Sequence, residues 1–270
     1  MRISLNISTC PNDTFMFDAL IHKRIDTKGY EFELNMDDID KLNKEVAKGV
    51  VDVSKISYAN YPNIVSNYKI LKSGGALGSG NGPLLVSRKK IYVDEIPYLK
   101  IGIPGEDTSA NLLLNFASST VKEKRVYLFS DISEAILGDE IDAGVLIHEE
   151  RFSYKDKGLS LVLDLGQYWE DKTGFLVPLG AIVVNRKLEA KIQNDINDLI
   201  RESIDFAFKN PQLSYNFVKS NAKELSDDTI SKHIKMFVNE YSLDLQQKGK
   251  DSVLQFLKNK SEDFNSDIFI

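Results

Sequence analysis

The chain has 270 residues, a length that suits one large domain or two small ones. Hydrophobic residues make up 42% and charged residues 27%, so the chain can build a packed core and is not disordered throughout. With 34 Lys and Arg against 40 Asp and Glu the net charge is −6, which argues against nucleic acid as a partner. The single cysteine, Cys10, excludes an internal disulfide and agrees with a reducing compartment.

The first residues, "MRISLNISTCPNDTF", lack the apolar stretch and cleavage site of a secretory signal. No window approaches the run of about 18 apolar residues that a membrane span needs. The sequence therefore predicts a cytoplasmic protein without a membrane span.

Strands alternate with helices over the first part of the chain. Apolar patterning predicts strands at 2–8, 31–36 and 51–56, and helices at 13–23, 39–48 and 58–66. This β-α-β-α-β-α order predicts a mostly parallel sheet with right-handed crossovers.

A glycine-rich stretch, "SGGALGSGNGPLLVSRK", follows, and the pattern then starts again. We predict strands at 98–103, 125–129 and 143–147, and helices at 109–119 and 132–137. After "VPLGAIVVNRK" the sequence is helical to its end, with one apolar stripe at Ile192, Ile196, Leu199, Ile200 and Ile204 and another at Ile230, Ile234, Phe237 and Val238.

These patterns predict an α/β protein with two lobes, the second inserted into the first. "GPLLVSRK" and "LGAIVVNRK" are each an apolar strand that ends in Arg and Lys, and we interpret them as two hinge crossings. Lobe 1 is predicted to contain residues 1–88 and 183–270, and lobe 2 residues 89–182. Clefts between domains are common ligand sites.

Polar segments follow four of the predicted strands: "STCPND", "KISYAN", "PGEDTSA" and "IHEE". Ligands of open α/β sheets bind beyond the carboxyl ends of the strands. Two segments come from each lobe, so we expect them to form a polar cleft for a small-molecule substrate.

Two of these segments suggest groups that bind an anion. Thr108 or Ser109 is expected to cap the helix that follows "PGEDTSA", and a helix start such as the turn of Thr108, Ser109 and Ala110 can hold a carboxylate or phosphate. Lys55 and Ser57 share one face of the third strand and could bind an anionic or hydroxylated ligand, although polar residues are also ordinary at strand ends.

His148 ends the apolar strand "AGVLI" and is a candidate general base, because the pKa of imidazole lies near neutral pH. The alternative is a histidine that bonds to backbone at the strand end. Glu149 or Glu150 could orient its ring. His22 and His233 are expected on the surfaces of helices, without a catalytic role.

Several other features remain open at this level. Cys10 is either a reactive thiol near a helix start or, as we favour, a small buried packing residue. Asn12 and Asp13 either cap the first helix or reach a ligand. The glycine-rich stretch is neither a P-loop nor a dinucleotide-binding fingerprint, and the sequence has no metal-ligand spacing.

Six segments together resemble one known family: "STCPNDTFMFDAL", "KISYANY", "SGGALGSGNGPLLVS", "GIPGEDTSANLLL", "DAGVLIHEERFSY" and "PLGAIVVNRK". The sequence is similar in these segments to the 1,4-dihydroxy-6-naphthoate synthases of the futalosine pathway of menaquinone biosynthesis. The resemblance implies a two-lobed type II periplasmic-binding-protein-like fold and the cleavage of cyclic dehypoxanthine futalosine to 1,4-dihydroxy-6-naphthoate and dihydroxyacetone. It implies no metal or organic cofactor.

The resemblance also implies roles for particular residues. The family's proposed base matches His148, and its substrate-binding segments match Lys55, Ile56 and Ser57 together with Ser109 and Ala110. Two positions depart from the family: Thr9 stands where Pro is frequent, and Asn81 where Cys or another small residue is frequent. Asn81 is therefore a possible site residue whose role is open.

Three alternative functions share this architecture. A solute-binding protein of an ABC transporter would require export, and Met1 leads straight into a strand. Chorismate dehydratase of the same pathway is also two-lobed, but "CPNDTF" and "IHEERF" favour the naphthoate synthase. A regulatory ligand-binding domain would carry a helix-turn-helix segment, which the sequence lacks.

Overall fold

The structure is a computed structural model that describes residues 1–222, 225–260 and 264–270. The described residues form eleven strands: β1 Arg2–Ile7, β2 Glu31–Met36, β3 Val53–Ser57, β4 Tyr68–Ile70, β5 Ala76–Gly78, β6 Leu84–Ser87, β7 Lys100–Ile103, β8 Glu123–Val126, β9 Ala143–Leu146, β10 Ser160–Asp164 and β11 Val177–Asn185.

The same residues form eleven α-helices: α1 Pro11–Ile21, α2 Ile39–Val46, α3 Ser109–Ala117, α4 Ile132–Leu137, α5 Glu150–Ser153, α6 Leu165–Thr173, α7 Ala190–Lys209, α8 Pro211–Asn221, α9 Asp227–Phe237, α10 Glu240–Leu243 and α11 Gln246–Leu257. Short 3-10 helices lie at Tyr58–Asn63, Val93–Tyr98, Phe129–Asp131 and Ser266–Ile268.

The chain divides into two compact units, which we call unit 1 (Met1–Gly78 and Pro178–Ile270) and unit 2 (Ser79–Val177). Both crossings therefore lie earlier in the sequence than the predicted boundaries after residues 88 and 182. The hydrogen bonds of the two crossing strands explain the difference. Strand β6 pairs with β9 and β10 of unit 2, and β11 pairs with β3 and β4 of unit 1.

The sheet of unit 1 has the strand order β2-β1-β3-β11-β4, and β5 pairs with β11. Strand β1 runs parallel to β2 and β3, whereas β11 runs antiparallel to β3 and β4. The predicted parallel arrangement of the first three strands is confirmed. The strand that enters from unit 2 makes the complete sheet mixed rather than mostly parallel.

The sheet of unit 2 repeats this arrangement, with the order β10-β6-β9-β7-β8. Strand β7 is parallel to β8 and β9, and β6 is antiparallel to β9 and β10. In each unit, therefore, the strand that arrives from the other unit runs against the third strand of the local β-α-β-α-β run. The α/β class with helix-flanked sheets is confirmed in both units.

The core of unit 1 lies between β1, α1 and the long helix α7. The predicted stripe on α7 is buried from Ile196 to Ile204, while Ile192 is partly exposed. The prediction for His233 was wrong: its side chain is fully buried, and its ring lies 4.6 Å from that of Phe237 on α9. Position 233 belongs to the apolar face of α9. The sequence does not indicate this, because histidine is polar and has lysines close to it on both sides.

Tyr58 begins the 3-10 helix after β3, and its hydroxyl is buried with no hydrogen-bond partner among the described residues. Burial raises the pKa of this phenol. Because an unpaired buried hydroxyl is unfavourable, we expect Tyr58→Phe to leave the free energy of unfolding unchanged or to raise it by about 1 kcal/mol. Urea denaturation measures the change.

Tyr61 is a matched control, because it is equally buried but its hydroxyl donates to the Tyr68 carbonyl at 2.9 Å. Tyr61→Phe is expected to lower the free energy of unfolding by about 1 kcal/mol. A larger loss of unfolding free energy in Tyr58→Phe than in Tyr61→Phe would contradict the conclusion that the Tyr58 hydroxyl is unpaired among the described residues.

Candidate functional site

In unit 1, a buried ion pair joins the first turn of α1 to strand β3. The Lys55 Nζ atom lies 2.7 Å from Asp13 Oδ1, and the two side chains are 6% and 0% exposed. Asp13 Oδ2 also accepts hydrogen bonds from the Ser8 backbone N–H (3.1 Å) and hydroxyl (2.8 Å), and Asn12 Nδ2 donates to Oδ1 at 2.8 Å. The carboxylate is therefore satisfied from several sides, as a buried charge requires.

The structure excludes one of the two roles considered for Asp13, that of helix cap. Helix α1 begins at Pro11 with Cys10 as its N-cap, and proline suits the first helical position because its missing N–H would have no acceptor there. Asp13 thus lies inside the first turn and does not cap the helix. Cys10 is buried, as expected for a packing residue.

Lys55 retains hydrogen-bonding capacity beyond this ion pair. An ammonium group has three N–H donors, and within the described ranges the one acceptor bonded to Lys55 is Asp13. Gly180 on β11 makes room for the side chain, because a Cβ atom there would lie 2.7 Å from Lys55 Cε. Among the described residues, Lys55 is therefore a fixed cation whose N–H donors are not all paired.

The other two predicted site residues of β3, Ser57 and Ile56, differ in polarity and in the face of the sheet on which they lie. Ser57 donates its backbone N–H to Asn43 Oδ1 at 2.9 Å and accepts at its hydroxyl oxygen from Asn43 Nδ2 at 3.1 Å. Within the described part of the chain, no acceptor for its hydroxyl proton is found. The side chain of Ile56 is fully buried and points to the opposite face of the sheet from Lys55 and Ser57, because side chains alternate along a strand.

In unit 2, the turn before α3 is a capped helix start. Thr108 is the N-cap: its hydroxyl accepts from the Asn111 N–H at 3.2 Å and donates to the Gly105 carbonyl at 2.7 Å. Thr108, Ser109 and Ala110 are 2%, 4% and 4% exposed. The N–H groups at the first positions of a helix have no intrahelical acceptor and lie at the positive end of its dipole, so this turn can bind an anion.

His148 follows β9 and is half-buried. Its ring packs edge-on against Phe129, with the ring centroids 4.9 Å apart. Its φ of 52° lies in the left-handed region, which few residues other than glycine adopt and which is often found at functional sites. The backbone therefore turns sharply at the residue that the sequence predicts to be the base.

The two glutamates after His148 have different surroundings. Glu150 accepts from the Ser133 hydroxyl at 2.5 Å and from Lys157 Nζ at 2.9 and 3.0 Å. Glu150 is therefore committed to Ser133 and Lys157. Burial raises the pKa of Glu149.

Two charged residues that the sequence analysis did not assign hold the glycine-rich loop. The Arg151 guanidinium donates to the carbonyls of Gly82 (2.9 Å) and Gly80 (3.4 Å), and burial lowers its pKa. Glu170 accepts from the Gly80 N–H at 2.8 Å and from the Ser79 hydroxyl. Arg151 lies in the segment "IHEERF", which contributes to the family resemblance. The sequence therefore drew attention to this segment but did not indicate the contacts of Arg151.

Two further findings concern the described residues only. No group of three or more His, Cys, Asp or Glu among them is arranged to hold a metal ion. Their helices are all too short or too polar to cross a membrane.

Comparison with known proteins identifies close relatives along almost the whole chain. A family model described as menaquinone biosynthesis matches residues 3–262. A protein of Thermus thermophilus named 1,4-dihydroxy-6-naphtoate synthase is 36% identical over 251 residues, which are 93% of this chain and 91% of the relative. A Streptomyces coelicolor protein of the same name is 36% identical over 252 residues, 92% and 88% of the two chains.

Several solved structures resemble the chain in fold. A crystal structure of a protein from Archaeoglobus fulgidus superposes with a TM-score of 0.90 at 31% identity and covers 96% of both chains. The ligand-binding component of an ABC-type import system from Staphylococcus aureus gives a TM-score of 0.70 at 14% identity, covering 100% of this chain and 96% of that one. A Candida albicans protein with the periplasmic binding protein fold gives 0.69 at 12% identity, covering 99% and 93%. The last two show the fold alone.

Proposed function

Because the chain belongs to the menaquinone-biosynthesis family of the 1,4-dihydroxy-6-naphthoate synthases, we propose that it cleaves cyclic dehypoxanthine futalosine to 1,4-dihydroxy-6-naphthoate and dihydroxyacetone. The observation that carries the proposal is the 36% identity to two proteins with this name over more than nine tenths of the chain. The activity is a carbon–carbon lyase reaction.

The proposed base is His148. It would remove a proton from the substrate and so start a retro-aldol-type cleavage, in which the broken C–C bond leaves dihydroxyacetone and the ring that remains becomes the aromatic diol. Formation of the aromatic ring drives the reaction forward. A positioned base of this kind contributes typically about 10²–10⁴-fold to the rate, and the half-buried ring of His148 supports the role.

The proposed binding groups supply donors for the polar and anionic parts of the substrate. The substrate carries a carboxylate on its aromatic ring, and the turn of Thr108, Ser109 and Ala110 offers N–H and hydroxyl donors at a helix start. In unit 1, Lys55 and Ser57 offer an ammonium group and a hydroxyl. Asp13 holds Lys55 in place through the 2.7 Å ion pair and is proposed as a positioning residue, with Asn12 supporting Asp13.

The direct test is incubation of the purified protein with cyclic dehypoxanthine futalosine, followed by mass detection of 1,4-dihydroxy-6-naphthoate and dihydroxyacetone in equal amounts. We expect both products to accumulate with many turnovers per protein. Tight binding of a small solute without turnover would favour the solute-binding alternative. Dehydration of chorismate in place of futalosine cleavage would favour the sister enzyme of the pathway.

A further inference from the structure

Asn81 stands out in unit 2 because its polar side chain is buried and finds no partner among the residues that the structure describes. The residue is 1% exposed. Within residues 1–222, 225–260 and 264–270, neither its Oδ1 nor its Nδ2 atom has a hydrogen-bond partner. A buried amide that makes no hydrogen bond is unfavourable, and nearly all such groups in native proteins are satisfied by some partner.

The loop around Asn81 is held firmly on both sides. Arg151 binds the carbonyls of Gly80 and Gly82, and Glu170 binds the N–H of Gly80 and the hydroxyl of Ser79. The backbone on either side of Asn81 is therefore fixed by charged groups of neighbouring elements.

A close backbone contact fixes the loop further. Gly82 lies against Gly166 at the start of α6, where a Cβ atom on Gly82 would be 2.2 Å from Gly166 Cα. The next residue continues the contact, because the carbonyl of Pro83 accepts from the Leu165 N–H at 3.0 Å. The position of Asn81 is thus built into the fold, which is the condition for a side chain to recognise a ligand.

The chemistry of the amide indicates what it would recognise. Asparagine presents one acceptor oxygen beside two N–H donors. A carboxylate would satisfy the N–H groups and be repelled by the oxygen, so the best match is a neutral group that both donates and accepts. Hydroxyl groups have this property. In the proposed reaction the part of the substrate that leaves as dihydroxyacetone carries such oxygen groups and no carboxylate, whereas the part that becomes the naphthoate carries the carboxylate together with two ring oxygens.

We propose that Asn81 is a specificity residue that hydrogen-bonds the neutral, hydroxyl-bearing part of the substrate. The inference rests on the proposed function. It gives the departure at position 81, where the sequence differs from its family, a defined role in binding.

The test compares the wild-type protein with Asn81→Leu, which removes both hydrogen-bonding atoms, and with Asn81→Ser, which keeps a short donor and acceptor. Steady-state kinetics with cyclic dehypoxanthine futalosine, the Kd of 1,4-dihydroxy-6-naphthoate and the Tm without ligand are measured for each. We expect Asn81→Leu to lower kcat/KM at least about 10-fold, mainly through KM, and Asn81→Ser to lower it less.

Two further readouts separate ligand binding from a structural role. If the amide is unpaired without ligand, Asn81→Leu should have an unchanged or higher Tm, and the naphthoate should bind with a Kd within about twofold of the wild type. An unchanged kcat/KM, a lower Tm, or a naphthoate Kd that rises as much as KM would each overturn the inference. A wild-type protein that gives no product would instead refute the proposed function itself, and with it the assignment of Asn81.

Discussion

His148→Ala is expected to lower kcat by at least about 10²-fold, because it removes the group proposed to take the first proton and a positioned base contributes about 10²–10⁴-fold. The fold is expected to remain intact, since the side chain is half-buried at a strand end and not part of either apolar core. Turnover of cyclic dehypoxanthine futalosine and a thermal melt test both statements.

Two variants sharpen this prediction. His148→Asn removes the base but keeps a residue that tolerates the left-handed backbone at φ 52°, so it should be as inactive as the alanine variant and as stable as the wild type. His22→Ala is the matched control in unit 1, where His22 is 42% exposed and its Nδ1 lies 2.8 Å from Asp18 Oδ1. Its turnover should be normal, and near-normal turnover in the His148 variants would remove that residue from the mechanism.

Lys55→Met should produce the largest loss of stability, with the free energy of unfolding lowered by roughly 3–5 kcal/mol. The substitution keeps an unbranched side chain of similar length and leaves the Asp13 carboxylate, which is fully buried, without its cation. Guanidinium denaturation monitored by circular dichroism measures the effect.

Two comparisons test whether the uncompensated charge is the cause. The double variant Lys55→Met with Asp13→Asn removes both charges, and it should be more stable than Lys55→Met alone although it weakens the bonds from Ser8. Lys44→Met breaks the 2.6 Å ion pair between Lys44 and Asp40, in which the lysine side chain is 72% exposed. It should lower the free energy of unfolding far less than Lys55→Met, because water screens an exposed pair. Equal losses in both lysine variants would show that burial of the Lys55 pair is not what matters.

Local sequence patterns predicted most elements of this fold. Alternating apolar residues located β1, β2 and β3, and the helix over Ile132–Leu137 was predicted with its observed limits. The N-cap was narrowed to Thr108 or Ser109 because capping depends on residues within one turn. Such features depend on neighbours in the sequence and can therefore be read from it.

Local patterns could not predict the directions of β6 and β11. They also could not fix where the chain crosses between the two units. "GPLLVSRK" is apolar enough for either sheet, and only its pairing with β9 and β10 assigns it to unit 2. His233 shows the same limit at the level of one side chain. Its burial depends on what packs against α9, and its lysine neighbours point to solvent.

The sequence indicated individual candidate residues of the site but not the contacts between them. Asp13 and Asn12 were identified from their place after a strand and Lys55 from its strand face, but the ion pair between Lys55 and Asp13 spans 42 residues and no local pattern indicates it. Arg151 and Glu170 were missed for the same reason. Arg151 lies 69 residues from its partner Gly82, and Glu170 lies 90 residues from its partner Gly80.

The order of residues in the short stretch from His148 to Arg151 couples two parts of the candidate site. The proposed proton acceptor and the guanidinium that anchors the Asn81 loop are separated by only two glutamates. An insertion or deletion between them would displace both at once. A change that shifts the backbone of this short segment is therefore expected to disturb the proposed base and the anchored loop together.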